Sequence, residues 1–203
     1  MKEIGTNAQV ITYTVPYNSV EIKDSASIST NYVNDSYKEN IINKAIKLHL
    51  KGNILEARKY YKYFLNQGIK DFRVFSNYGS ILKDNGKFEE AEILLKKALL
   101  VNPKDAETYS NLGSILTSMG KTQKAEKACL EAIKINPNLS DAYNNLGVIY
   151  NNLGKSKESE SSYRKAISIN PKFEEAYSNL GSILRDIGKL NEAKISTQKA
   201  IKI

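Results

Sequence analysis

The chain has 203 residues, a net charge of +8, 41% hydrophobic residues, one cysteine and one histidine. The single Cys129 excludes an internal disulfide, and the single His49 leaves neither a multi-histidine metal cluster nor a serine–histidine relay to assemble in the usual way. No apolar run approaches the ~20 residues needed to span a bilayer, and Met1–Gln9 has no basic stretch leading into an apolar one, so no membrane span or secretory signal is expected and a cytoplasmic location is the default.

Residues 1–37 come first and stand apart. They are rich in Ser, Thr and Asn, and they hold Lys2 and Lys23 against Glu3, Glu21, Asp24 and Asp35. This composition predicts a mostly disordered segment, with one β-prone run, Val10–Val15, stopped by Pro16. Its net −2 leaves +10 on the remainder.

From residue 38 the text repeats every 34 residues. A degenerate first copy, 38–71, shows Ile41, Ala45, Leu48, Gly52, Ala57 and Tyr61. The second, 72–105, reads Phe75-Ser-Asn-Tyr-Gly79, then Gly86, Ala91, Ala98 and Pro103. The third (106–139) and fourth (140–173) repeat this as Tyr109 to Gly113 and Tyr143 to Gly147, each closing on Asn-Pro. The fifth, 174–203, is shortened. A fixed period of this length specifies supersecondary units stacked in one dimension, and it excludes most single-core enzyme folds.

Each unit predicts two helices. Tyr109, Leu112, Gly113 and Leu116 follow the spacing of one apolar helix face. Gly120 supplies the left-handed residue that stops the helix. Ala125, Cys129 and Ala132 then form a second stripe, which marks Cys129 as core, and Asn136-Pro137 ends that helix. Ser140 and Asp105 stand at N-cap positions. The fold class is all-α.

This joint pattern resembles the tetratricopeptide repeat, over about four-fifths of the chain. The resemblance implies a solenoid of antiparallel helix pairs in a right-handed superhelix. Its concave face, lined by the first helix of each pair, would bind peptides or protein segments. Lys44, Ile69 and Thr197 depart from the family pattern in the outer units.

Asn43, Asn77, Asn111, Asn145 and Asn179 occupy one slot in all five units, preceded in the last four by Ser76, Ser110, Asn144 and Ser178. These positions fall off the apolar stripe and are expected to face the groove. Asparagine is a middling helix former, and its amide both donates to a peptide C=O and accepts from an N–H. With first helices ~10 Å apart, five amides cover about 40 Å, or roughly twelve residues of extended chain. The row resembles the asparagine ladder of repeat domains attached to O-linked N-acetylglucosamine transferases. A non-catalytic scaffold binding an extended polypeptide is therefore expected, with a substrate arm for such a transferase as the alternative. A carboxylate clamp is disfavoured, because Lys83 and Arg185 form no repeated cationic pair.

Neither catalysis, cofactor nor metal is expected. Gly120-Lys121-Thr122 imitates the tail of a phosphate-binding loop, but Ile115 stands where that loop needs glycine. His49 is expected to be exposed near a helix end. The turn lysines (Lys87, Lys121, Lys155, Lys189) predict a solvated basic surface rather than a nucleic-acid site. The array stops at Ile203 without a polar capping helix, which predicts a homo-oligomer or docking through units four and five, including Leu180, Leu184 and Ile195.

Overall fold

The structure, a computed structural model, describes residues 35–203. These form α1 (Asp35–Leu50), α2 (Ile54–Asn66), α3 (Phe72–Asp84), α4 (Phe88–Val101), α5 (Ala106–Ser118), α6 (Thr122–Ile135), α7 (Ser140–Asn152), α8 (Ser156–Ile169), α9 (Glu174–Asp186) and α10 (Leu190–Lys202), with no strand among the described residues. The expectations for Val10–Val15 and for disorder up to residue 34 lie outside the described residues. Helix α1 begins at Asp35, three residues ahead of the expected first unit.

Local chemistry sets the helix ends. Asp71 and Asp105 cap α3 and α5 by accepting from the backbone N–H of Arg73 (2.9 Å) and Thr108 (3.1 Å). Ser140 does not cap α7: it is the first helical residue, and the cap position belongs to Leu139, which makes no side-chain bond. At the turn after α3, Gly86 has φ of +71°, which lets Lys87 N–H reach back to the Leu82 carbonyl at 2.9 Å. Unit one has no Asn-Pro at the end of α2. There Gly68, at φ of +69°, makes the same kind of stop, with Ile69 N–H bonded to the Phe64 carbonyl at 3.1 Å.

The glycines at 34-residue spacing set how closely each helix pair approaches. A Cβ on Gly79 would lie 2.8 Å from Leu95 Cδ2, and one on Gly181 would lie 2.6 Å from Thr197 Oγ1. At Gly113 it would strike the Cys129 sulfur, and at Gly147 the Tyr163 ring. Cys129 is fully buried, and that burial pushes its thiol up to about 12, so the residue is core. The same small-to-large pairing recurs sixteen residues apart in units two to five, and a close pair is the result.

One buried polar atom lacks a partner. Tyr61 is fully buried, and its hydroxyl has no hydrogen bond among the described residues. Tyr61→Phe is expected to raise stability by about 1 kcal/mol, because it removes a desolvated donor and no bond. A chemical-denaturation midpoint equal to or below wild type would contradict this.

The core falls into two clusters. The larger runs from Ile42 to Ile149, and the second gathers Tyr163, Leu180, Ile183, Leu184 and Ala193. The division lies inside unit four, between α7 and α8. Helix α8 buries Ser159 and Ser162 on its inner face, with the Ser159 hydroxyl donating to the Gly147 carbonyl at 2.8 Å. Leu180 and Leu184 are 3% and 0% exposed, so they cannot form the docking face expected of the array's end. The exposed apolar residues on α10 and at its end are Leu190, Ile195, Ile201 and Ile203.

The turn lysines are not merely solvated. Lys121 pairs with Glu92 of the preceding unit at 2.7 Å, and Lys189 pairs with Glu160 at 2.9 Å. Lys96 and Arg164 complete each carboxylate's partners from its own helix. In the matching position Lys155 stands 5.6 Å from the centre of the Tyr150 ring. Arg58 stands in unit one where units two to four have an acid, and Lys87 turns to Glu90 of its own unit at 2.8 Å.

Candidate functional site: the inner wall of the first helices

Each first helix touches the next, α1 to α3, α3 to α5, α5 to α7 and α7 to α9. Among the described residues the backbones of successive second helices make no comparable approach, and side chains bridge the gap where Arg164 of α8 pairs with Glu192 of α10. First helices therefore crowd together on the inside of the curve and second helices splay around the outside. The asparagine slot lies on the crowded side.

Its five members are not equivalent. Asn43 is exposed and donates to Glu39 at 3.3 Å. Asn77 donates to the Arg73 carbonyl of its own helix at 2.8 Å and also bonds His49. Asn145 donates across the unit boundary to the Ser110 carbonyl (3.2 Å) and hydroxyl (3.1 Å). Asn179 donates to Asn144 Oδ1 at 3.1 Å. Asn111 is half-buried and makes no side-chain hydrogen bond among the described residues.

The slot before it behaves differently from the sequence expectation. Ser110 and Asn144 are 3% and 2% exposed. Ser110 receives Asn145, while Asn144 receives Asn179 and donates to Glu175 at 3.1 Å. Ser76 accepts from the Thr108 hydroxyl at 2.7 Å. These three side chains join one first helix to the next, and Ser110 and Asn144 spend their bonds on that joint while still reaching the cavity wall. Ser178 is exposed. The reason is rotational: each unit turns against its predecessor so that this slot lies against the neighbouring helix at the edge of the groove.

A cavity of about 370 Å³ opens on this wall at units three and four. Asn111, Asn144 and Asn145 line it, together with Glu107, Asp141, Glu175 and Phe173. Sequence reasoning passed over the three acids, although they keep the 34-residue beat four positions ahead of each asparagine.

One other expectation changes. His49 is half-buried, with its ring edge-on to Tyr61 at 6.1 Å, and burial pushes its pKa down against the opposing bond from Asn77. Arg73, on the inner wall of unit two, is gripped by Glu39 at 2.6 and 2.7 Å and by Asp71 at 2.9 Å. That cation is therefore committed inside the protein. Lys83 lines the cavity, and Arg185 is exposed and bonds Ser182 of its own helix. Gly120, at φ of +71°, is a helix stop, and Lys121 is held by Glu92. No group of three His, Cys, Asp or Glu residues that could hold a metal occurs among the described residues. No described helix is long and apolar enough to cross a membrane.

Comparison with known proteins agrees with the architecture. Tetratricopeptide repeat models match residues 72–105, 106–139, 140–173 and 162–195. Among solved structures, a crystal structure of MamA is 30% identical, spans 78% of this chain and 92% of its own, and superposes with a TM-score of 0.62. The thermophilic repeat protein TTC0263 of Thermus thermophilus is 19% identical over 81% of this chain and 90% of its own, with a TM-score of 0.71. Pseudomonas aeruginosa PilF is 16% identical over 83% of this chain and 77% of its own, with a TM-score of 0.70. No curated protein matches, and these relatives give no indication of the glycosyltransferase type of repeat. The matched repeats cover well over half of the residues in an unbroken run, and the chain belongs to the tetratricopeptide repeat family.

Proposed function

We propose that the protein is a scaffold that holds an extended polypeptide along the inner wall of its first helices. The amides of Asn77, Asn111, Asn145 and Asn179 bond the guest backbone. The observation that carries this reading is the polar cavity at units three and four, together with the unpartnered amide of Asn111 on its wall. Asn77 and Asn179 each donate one amide hydrogen inward and keep the second, while Asn145 donates to both the carbonyl and the hydroxyl of Ser110. The Oδ1 of each retains acceptor capacity. The inward bonds fix the amide planes, so a guest loses less rotational freedom of these groups on binding.

The test is a peptide array probed with wild type and with Asn77→Ala/Asn111→Ala/Asn145→Ala. The triple variant is expected to lose about tenfold or more in affinity, since each bond to a guest backbone contributes ~1 kcal/mol. Its folding is checked first by circular dichroism. Unchanged binding to every retained peptide would remove the reading. The alternative, a substrate arm for a glycosyltransferase, rests on the same asparagine row in all five units. Sugar-nucleotide turnover that appears only when a separate catalytic chain is added would favour it over a free-standing scaffold.

A further inference from the structure

We infer that the polypeptide seated at units three to five carries basic side chains. This rests on the reading above and deepens it by naming the chemistry of the guest.

The chain as a whole is +8, yet the inner wall runs against that excess. Glu107, Asp141 and Glu175 hold one register on α5, α7 and α9, and all three are exposed at the cavity. The equivalent residue of unit one, Glu39, is taken up by Arg73 at 2.6 Å. Deeper acids elsewhere are also matched, Glu92 by Lys96 and Lys121, and Glu160 by Arg164 and Lys189. In contrast, Glu107 and Asp141 have no cationic partner among the described residues, and Glu175 receives only the neutral amide of Asn144. Lys83 is the one cation on the cavity wall, and its near neighbour is Asp84 at 3.7 Å. A protein with eight surplus positive charges thus leaves a row of carboxylates unneutralised along its groove.

A second observation agrees in chemistry. Phe173 and Leu139 line the same cavity beside Asp141 and Glu175. A carboxylate next to an aromatic face and an aliphatic side chain suits lysine or arginine, whose alkyl stem packs on apolar surface while the cation meets the acid or the ring. The acids recur once per unit, ~10 Å along the wall. An extended guest then presents a side chain to them at roughly every third residue, in step with the asparagines.

The test uses the full chain and fluorescein-labelled peptides of about twelve residues, the length that spans the wall. They are identical except for Lys, Gln or Glu at every third position, and binding is read by fluorescence anisotropy. Wild type is expected to bind the Lys peptide most tightly and the Glu peptide least, about tenfold apart or more, with the gap narrowing as salt rises. Glu107→Gln/Asp141→Asn is expected to bind the Lys and Gln peptides alike. Equal binding of Lys and Gln peptides by wild type, preference for the Glu peptide, or an unchanged order in the double variant would each overturn the inference. The underlying reading fails separately if Asn77→Ala/Asn111→Ala/Asn145→Ala leaves Gln-peptide binding intact. If no peptide binds, both are overturned.

Discussion

Gly147→Ala is expected to destabilise the protein by about 1–3 kcal/mol, although alanine is the better helix former by ~1 kcal/mol. The added methyl meets Tyr163, whose ring is 2% exposed and locked in the cluster with Leu180, Ile183 and Leu184. The ring cannot swing aside without disturbing that cluster, so α7 and α8 must separate. Gly79→Ala is the milder comparison: its methyl meets Leu95 Cδ2 at 2.8 Å instead of a ring. Although Leu95 is itself fully buried, its branched end can turn further than the Tyr163 ring, so a smaller loss is expected. Unit one shows the permitted alternative, since Ala45 stands in the glycine slot opposite Tyr61, and there α1 and α2 approach less closely than the other pairs. Urea unfolding of a double-mutant cycle with Tyr163→Leu checks the cause. Tyr163→Leu should cost less in the Gly147→Ala background than in wild type. Equal costs in both would rule out the clash.

Acidification is expected to loosen the array at two joints. Lys121 first, with Lys96, holds the Glu92 carboxyl below the usual range, and Lys189 does the same for Glu160 against the opposing effect of burial. A carboxyl with a depressed folded-state pKa favours the folded protein above the unfolded glutamate value of about 4.3. That advantage is lost as pH falls through the lower folded value. Glu92→Gln and Glu160→Gln are each expected to cost about 1 kcal/mol at pH 7, a figure kept low because the lysines are partly exposed. At pH 3 the gap between each variant and wild type should be smaller than at pH 7. Thermal melts at pH 7 and pH 3 decide it: a variant that differs from wild type equally at both values would show that charge is not the source.

Much of this architecture can be read from the spacing alone. The two glycine sets have opposite jobs, and the pattern separates them: Gly113 lies on an apolar stripe, where closeness matters, and Gly120 follows its end, where positive φ is needed. The stop at Gly68 is also visible once the missing Asn-Pro of unit one is set beside it. What a 34-residue beat leaves out is how far each unit rotates on the last. That angle decides that Ser110 and Asn144 bond the neighbouring helix, that Asn145 reaches back to Ser110, and that Lys121 meets Glu92. The beat also treats all five asparagines as copies. Their partners differ because the residues 34 or 35 positions away differ, with a serine before Asn145 and an asparagine before Asn179.

The contrast between first helices packed backbone to backbone and second helices joined at most by side chains, as at Arg164–Glu192, bears on how such a coil bends. When such a coil flexes, length changes fall on the side with the weaker contacts, and the side in contact acts as the neutral axis. The outer rim stretches and closes while the pitch of the inner side chains stays nearly constant. Under the scaffold reading proposed above, a guest chain is measured against a ruler whose marks hold their interval under thermal motion.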